Sequence, residues 1–183
     1  MYKASIAELQ KIVYQSKNDI RQIADDNDRD IMLYLHWSAG HYGQFFDDYH
    51  INIDSDGSIY LSTDDLSEVK AHTWDRNSGA VGIALCCCAG ADTNELGDEP
   101  PTEEQIDTLA KVIAILCSGF DIPCDYEHVM THAEAADEDG YGLNDDDPDC
   151  RWDLSRISDD DDLGTGGDII RSKANKYLGV EAE

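Results

Sequence analysis

A run of apolar residues that ends in a histidine constrains the fold more than any other feature of the sequence. Residues 31–40 read IMLYLHWSAG, so five largely apolar side chains lead into His36 and a turn of small residues follows. A short apolar run bounded by turn residues is typical of a buried strand. His36 would then lie where the strand meets a loop, a position at which a rigid scaffold can hold a ligand within reach of solvent. For this residue taken alone, a hydrogen-bonded core histidine is the alternative.

Three helices are predicted from capping signals and apolar spacing. Ser5 with Glu8, and Thr102 with Gln105, have the spacing of capping boxes, and apolar residues follow each pair at helical intervals. Gly179 marks the stop of a third helix near the end of the chain. The predicted helices cover residues 5–24, a segment that begins at residue 102, and residues 168–178.

Two further segments are predicted to be strands. Alternation on both sides of a turn at residues 54–57 indicates a hairpin over residues 49–61, and residues 80–88 form a second apolar run. That run ends in three consecutive cysteines, Cys86 to Cys88. Because successive side chains of a strand point to opposite faces, the three thiols cannot converge on one metal ion, and we interpret them as small core residues.

Together these elements predict an α/β fold. We expect a single domain over residues 1–183, with a central mixed β-sheet flanked by helices. Residues 135–162 are rich in Asp, Gly and Asn and are predicted to form a solvated loop.

The charge of the chain bears on its partners. Lys and Arg number 13 against 40 Asp and Glu, which gives a formal net charge of -27. Nucleic acids and anionic membranes attract cationic surfaces, so this charge argues against both as partners. The N-terminal residues lack the pattern of a secretory signal, and no apolar run approaches the ~18 residues of a membrane span. Six cysteines without the spacing of a disulfide framework predict reduced thiols in a protein made in the cytoplasm.

Five short motifs, taken in order, resemble one enzyme family. They are LHWSAG at residues 35–40, Tyr49-His50 at the start of the hairpin, His72 with Asn77 before VGIAL at residues 81–85, THAE at residues 131–134, and Asp147-Pro148 followed by Trp152-Asp153. The series resembles the zinc-dependent N-acetylmuramoyl-L-alanine amidases, a family that includes peptidoglycan recognition proteins and phage lysozyme-like amidases. The resemblance implies hydrolysis of the amide bond between N-acetylmuramic acid and L-alanine in peptidoglycan. The alternatives are a non-catalytic peptidoglycan-binding module on the same scaffold and an acidic structural protein that binds divalent cations.

The resemblance also implies a zinc cofactor, with His36, His132 and Asp147 as its ligands. A zinc ion with three protein ligands and an open position polarises a carbonyl and lowers the pKa of a bound water to about 7, which an unactivated amide requires. Asp147 is favoured because Asp147-Pro148 precedes an aromatic residue and an aspartate at the family's spacing. Cys150 is the rival third ligand, since a thiolate also suits zinc.

Other residues take roles from the same resemblance. Tyr49 would border the site and hydrogen-bond the oxyanion of the reaction. His72, Asn77 and Trp37 would contact the substrate. Without a signal peptide, the protein would reach the cell wall as a phage lysin or as an injected effector, with an immunity or delivery protein as a possible partner. Its charge favours the thin Gram-negative layer over a wall rich in anionic polymers.

The chain departs from the family pattern at two places. Some relatives carry a catalytic glutamate where this chain has Ala84, and many carry a lysine shortly before the third ligand, where this chain has residues 144–146. Glu134 is the nearest alternative acid or base. The acidic insertion, residues 137–144, is expected to fold back over the rim of the site and to shape the substrate groove.

Overall fold

A mixed β-sheet with helices packed around it makes up the part of the chain that the computed structural model describes, residues 1–180. The strands are β1 (Tyr2–Ala4), β2 (Met32–Trp37), β3 (Ile51–Ile53), β4 (Ile59–Leu61), β5 (Ala80–Leu85) and β6 (Val129–Thr131). The helices are α1 (Ile6–Asp26), α2 (Glu103–Phe120), α3 (His132–Asp139) and α4 (Gly166–Leu178). The predicted α/β class is therefore confirmed, although the last three residues of the predicted domain lie outside the described range.

The order of the strands brings the functional segments to one edge of the sheet. The order is β1-β4-β3-β5-β2-β6, with β2 parallel to both β5 and β6, and β3 parallel to β5. Every residue of β2 is buried, as its apolar run predicts. Because β2 and β6 run in the same direction with Leu35 opposite Thr131, the residues that follow each strand emerge side by side.

The local signals for the helices agree with the structure. Ser5 caps α1 and Thr102 caps α2, each in a complete capping box, and Gly179 ends α4 in the left-handed conformation. The hairpin is also present, formed by β3 and β4 around the predicted turn. No helix within residues 1–180 combines the length and apolarity that crossing a bilayer would require.

Two predictions about segments need correction, and one strand has no predicted counterpart. The strand predicted over residues 80–88 ends at Leu85, since Cys88 has a φ of 67° and leaves the extended conformation. Strand β1 was not predicted, because three residues are too few to show an alternation of apolar and polar side chains. The strand forms by antiparallel pairing with β4. Residues 135–139, the first part of the predicted loop, belong to helix α3: Thr131 and Glu134 make a third capping box, which outweighs the acidic composition that follows.

Candidate metal centre and substrate cleft

Two histidines and an aspartate converge where β2 and β6 end. His36 is the fifth residue of β2, and His132 is the first residue of α3, directly after β6. The Nδ1 atoms of the two rings are 3.1 Å apart. Asp153 joins them, with Oδ2 3.0 Å from His36 Nδ1 and Oδ1 3.0 Å from His132 Nδ1. All three side chains are buried, and each oxygen of the carboxylate faces a different imidazole.

Long-range contacts carry Asp153 to this position. The ring of Trp152 packs edge-on against Trp37 of β2, with centroids 4.8 Å apart. The backbone N–H of Ala133 in the first turn of α3 donates to the carbonyl oxygen of Asp153 at 3.2 Å. The otherwise acidic segment is thus joined to both strand ends that supply the histidines.

Asp147 and Cys150, the third ligands considered from the sequence, are not brought to this cluster. The Asp147 carboxylate accepts a hydrogen bond from the backbone N–H of Asp149 at 2.8 Å, and Cys150 is half-buried beside the cleft. Within residues 1–180, His36, His132 and Asp153 are the one set of three His, Cys, Asp or Glu side chains with ligand atoms within 4.8 Å of one another.

The sequence did contain a signal for Asp153. Many relatives are expected to carry a lysine shortly before the third ligand, and another basic residue, Arg151, lies two residues before Asp153. The segment at residues 144–146, before Asp147, has no such residue. The sequence prediction uses Asp153 only as the aspartate that follows Trp152 in the motif, because Asp147-Pro148 matches the pattern of the third ligand more obviously.

The electrostatics of the cluster favour a bound cation. Burial lowers the pKa of His36, which opposes the raising effect of its hydrogen bond to Asp153. Burial by itself raises the pKa of Asp153, but His132 and His36 together hold that pKa below its usual range. An ionised carboxylate and a neutral imidazole are the protonation states that metal ligation requires.

The spacing of the donor atoms tests whether zinc fits. Tetrahedral coordination at Zn–N and Zn–O distances of about 2.0–2.1 Å places neighbouring ligand atoms about 3.3 Å apart. The two imidazole nitrogens are 3.1 Å apart, close to this value, and each is 3.0 Å from a different oxygen of the Asp153 carboxylate. Two imidazole nitrogens and one carboxylate oxygen are also a donor set that catalytic zinc sites use. The residues present therefore fit the metal.

Tyr49 and Trp37 lie beside the cluster in different ways. The Tyr49 ring is 5.0 Å from the His36 ring, and burial raises the pKa of its phenol, which therefore keeps its proton. Trp37 is 6% exposed and packs on Trp152, so most of its surface is engaged in the core.

His72 and Asn77 belong to the loop between β4 and β5. The Asn77 Oδ1 atom accepts hydrogen bonds from the backbone N–H groups of His72 and Thr73, at 3.1 and 2.9 Å. The His72 ring centroid is 5.4 Å from that of His36. Asn77 thus holds the loop in position, and the loop holds His72 against the cluster.

Glu134 is directed away from the cluster. Its carboxylate accepts hydrogen bonds from the backbone N–H of Thr131 at 2.8 Å and from the guanidinium of Arg171 at 2.7 and 2.8 Å. These contacts give Glu134 a structural explanation that the sequence alone did not suggest.

An open cleft with two arms lies beside the His-His-Asp cluster. His72, His132 and Arg151 line both arms. One arm adds Trp74, Asp75 and Tyr141, and the other adds Trp37, Tyr49, Asp48 and Trp152. Part of the acidic insertion reaches this rim, since Tyr141 follows α3 and its ring packs edge-on against Trp74 at 6.2 Å.

Comparison with known proteins places the chain. The family model described as N-acetylmuramoyl-L-alanine amidase matches residues 12–149. The chain belongs to this amidase family. The family resemblance expected from the motifs is confirmed, and peptidoglycan amidase activity is supported at the level of the family.

Solved structures similar to this chain include two from Clostridium intestinale URNW. The endolysin N-acetylmuramoyl-L-alanine amidase LysCS shares 20% identity at a TM-score of 0.43, covering 58% of this chain and 70% of that one. The amidase LysC shares 20% identity at a TM-score of 0.44, covering 64% and 79%. A peptidoglycan recognition protein, PGRP-Hd from Alvinella pompejana, shares 17% identity at 0.39, covering 56% and 72%. No curated protein sequence matches the chain significantly.

Proposed function

We propose that this amidase hydrolyses the amide bond between N-acetylmuramic acid and L-alanine in peptidoglycan, with a zinc ion held by His36, His132 and Asp153. The observation that carries the proposal is the buried His-His-Asp cluster at the base of an open cleft. Two imidazoles and one carboxylate are a donor set that catalytic zinc sites use, and the two nitrogens are 3.1 Å apart. In this proposal Asp153 takes the role that the sequence had suggested for Asp147.

When bound, zinc supplies Lewis acidity that polarises a carbonyl and acidifies a water. The residues of the chain prepare the site for that chemistry. The ionised Asp153 carboxylate offsets part of the charge of a divalent cation, and the buried imidazole of His36, whose pKa is lowered by burial, offers a neutral nitrogen donor.

Tyr49 and Arg151 are proposed to act on the oxygen of the scissile amide. Tyr49 keeps its proton because burial raises the pKa of its phenol, so the hydroxyl can donate to an oxygen that gains negative charge. Arg151 lines both arms of the cleft beside His132. Its guanidinium donates to the carbonyl oxygens of Asp149 and Cys150, and among residues 1–180 it forms no ion pair. Its positive charge is therefore not neutralised by a carboxylate partner.

The two arms of the cleft suggest how the substrate lies. The scissile bond must be near the His-His-Asp cluster. The substrate continues from that bond as glycan on one side and as peptide on the other. Trp74, which is 70% exposed, offers a flat apolar surface in one arm. Sugars and peptides both pack on exposed aromatic rings of this kind.

The wall that this amidase acts on is proposed to be poor in anionic polymers. A net charge of -27 repels teichoic-acid-like polyanions, and that repulsion is screened by salt. We expect digestion of thin, polymer-free sacculi at low salt. Digestion of walls that retain anionic polymers should instead rise with ionic strength.

The function is tested by metal analysis together with digestion of purified sacculi. We expect one zinc per chain after reconstitution, and the release of stem peptides that carry a new free amino group on L-alanine, detected by mass spectrometry. Protein stripped with a chelator should lose this release and regain it with zinc.

The same assay separates the enzyme from a non-catalytic module. Protein that sediments with sacculi, binds zinc and yet releases no alanine-terminated peptide would assign the chain to peptidoglycan binding. Absence of zinc binding after reconstitution would remove the proposed metal site.

A further inference from the structure

The ring of His36 makes a second contact on the side that faces away from Asp153. Its Nε2 atom lies 3.4 Å from the hydroxyl oxygen of Thr73. The same hydroxyl lies 3.0 Å from Nδ1 of His72. The other nitrogen of His72, Nε2, is buried and has no hydrogen-bond partner among residues 1–180. A single hydroxyl group therefore stands between two buried imidazoles.

One hydroxyl can donate only one proton, and this limits how the two rings are protonated. If Thr73 donates to His36 Nε2, it must accept from Nδ1–H of His72. If Thr73 instead accepts from Nε2–H of His36, it can donate to an unprotonated Nδ1 of His72. The tautomers of the two neutral rings are linked through Thr73.

A metal at the cluster selects one of the two arrangements. Without a metal, the Nδ1–H group of His36 can donate to Asp153 Oδ2 at 3.0 Å, and the Nε2 atom accepts from Thr73. Metal ligation needs the lone pair of Nδ1, so the proton of His36 must then reside on Nε2. This proton arrangement reverses the direction of both hydrogen bonds at Thr73.

We propose that Thr73 is a positioning residue that holds His36 in the tautomer needed for metal ligation and couples that tautomer to the tautomer of His72. This inference rests on the proposed zinc site. On metal binding one proton leaves Nδ1 of His36 for solvent and one is taken up from solvent at Nε2 of His72. The hydroxyl proton of Thr73 moves to Nε2 of His36, and the Nδ1 proton of His72 moves to the hydroxyl oxygen of Thr73. The total charge of the three side chains therefore does not change.

The surroundings of Thr73 keep this chain of contacts in register. Thr73 is 1% exposed, and its backbone N–H donates to Asn77 Oδ1 at 2.9 Å. The His72 ring lies directly over Gly82 of β5, where a Cβ atom would be 2.5 Å from the ring. Asn77 fixes the loop, and Gly82 has no side chain, which leaves room for the His72 ring. Neither Thr73 nor His72 therefore needs to move when the hydrogen bonds reverse.

The tautomers can be measured directly by two-bond nitrogen–proton correlation NMR of protein labelled with nitrogen-15. In metal-free wild-type protein we expect the Nδ1–H form of His72, and after addition of one equivalent of zinc we expect the Nε2–H form. His72 in the same tautomer with and without bound zinc would overturn the proposal. This comparison needs no variant and no enzyme assay.

Two substitutions of Thr73 sharpen the test. Thr73→Val keeps the shape and removes the hydroxyl, and we expect His72 to stop responding to zinc and zinc affinity to fall roughly 10- to 100-fold, the range for outer-shell partners of metal ligands. Thr73→Ser keeps the hydroxyl and should retain both properties. Equal zinc affinity and an equal His72 response in the Val variant would contradict the proposal.

The same measurements separate a failure of the role proposed for Thr73 from a failure of the proposed function. Wild-type protein that binds no zinc would end the proposed function. The metal-free spectra would still test the role of Thr73, because the Nδ1–H form of His72 should be populated in wild type and lost in Thr73→Val. Bound zinc with an unresponsive His72 would end the role of Thr73 alone.

Discussion

The Nδ1 atoms of His36 and His132 face each other at 3.1 Å, although 96 positions separate the two residues in sequence. The distance follows from the parallel pairing of β2 with β6, which places the two strand ends side by side. Two nitrogen lone pairs that face each other at this distance repel each other. The repulsion is relieved when a proton or a cation binds the nitrogens and is also held by a third group. Asp153 is that third group, and its placement leads to the first prediction.

Asp153→Ala is expected to lose zinc binding, with affinity falling by at least roughly 100-fold, the upper end for outer-shell residues. The physical reason is that the two imidazoles remain without the carboxylate that balances the charge of the cation. The measurement is equilibrium dialysis with zinc, followed by elemental analysis. Asp147→Ala and Cys150→Ser are the matched controls and should bind zinc like wild type. Loss of zinc in Asp147→Ala, with Asp153→Ala unaffected, would restore the ligand suggested by the sequence.

Gly82→Ala is expected to destabilise the protein by roughly 1–3 kcal/mol, the usual cost of overpacking. A Cβ at this position would lie 2.5 Å from Cδ2 and 2.6 Å from Cγ of His72. The free energy of unfolding, from urea titrations, measures the effect. In the double variant with His72→Ala the ring is absent, so the combined cost should be smaller than the sum of the single costs. Simple additivity would show that the ring is not what occupies the space.

Glu134→Gln is expected to lower the free energy of unfolding by roughly 3 kcal/mol. The change removes the charge that pairs with Arg171, whose side chain is 7% exposed, and Asp168 alone remains to pair with it. Glu138→Gln on the same helix is the control, because Glu138 pairs with Arg76 at the surface and should cost at most about 1 kcal/mol. Zinc content should be unchanged in both variants. A stable Glu134→Gln protein would reopen a role for this carboxylate in the reaction.

The thiols should differ sharply in reactivity. Burial raises the pKa of Cys86 to about 12, and Cys87, Cys88, Cys117 and Cys124 are also buried, whereas Cys150 is half-buried. Because the reagent must reach the sulfur before a thiolate can attack it, we expect one rapidly modified thiol with an aromatic disulfide reagent at pH 8 and six after unfolding. Cys150→Ser should abolish the rapid phase. A rapid phase that persists in this variant would mean that a buried thiol is accessible.

Stability is expected to fall as the pH drops from about 6.5 to 4, in part through His50. Burial lowers the pKa of His50 to about 4, and its ring is held neutral between the backbone N–H of Gly82 and the carbonyl oxygen of Glu68. In this range the unfolded chain binds a proton that the folded protein excludes, so the unfolded state gains stability as the pH falls. The difference of 2.5 between the folded pKa and the usual 6.5 corresponds to roughly 3 kcal/mol.

Urea unfolding between pH 7.5 and 4 measures this dependence. His50→Gln removes the titrating group and should flatten the slope, while His36 and His72, whose pKa values are also lowered by burial, continue to contribute in the same direction. An unchanged slope in His50→Gln would show that the His50 pKa is not lowered in the folded protein.

Local sequence determined the elements of this fold whose causes are local. A capping box joins residues three apart, so Ser5 and Thr102 predict the starts of their helices without information from the rest of the chain. The apolar run before His36 likewise predicts a buried strand, because burial on both faces needs apolar residues throughout. His36 and His132 were identified as candidates because each follows such a run within a recognisable motif.

Tertiary structure alone decided which carboxylate joins them. Asp147 and Asp153 lie in the same acidic segment and carry the same carboxylate, and the one nearby signal, Arg151 before Asp153, fits the family pattern but does not itself bring the carboxylate to the histidines. The selection comes from the packing of Trp152 on Trp37 and from the hydrogen bond between Ala133 and Asp153. Both contacts join residues far apart in sequence, and their geometry exists only after β2 and β6 have paired.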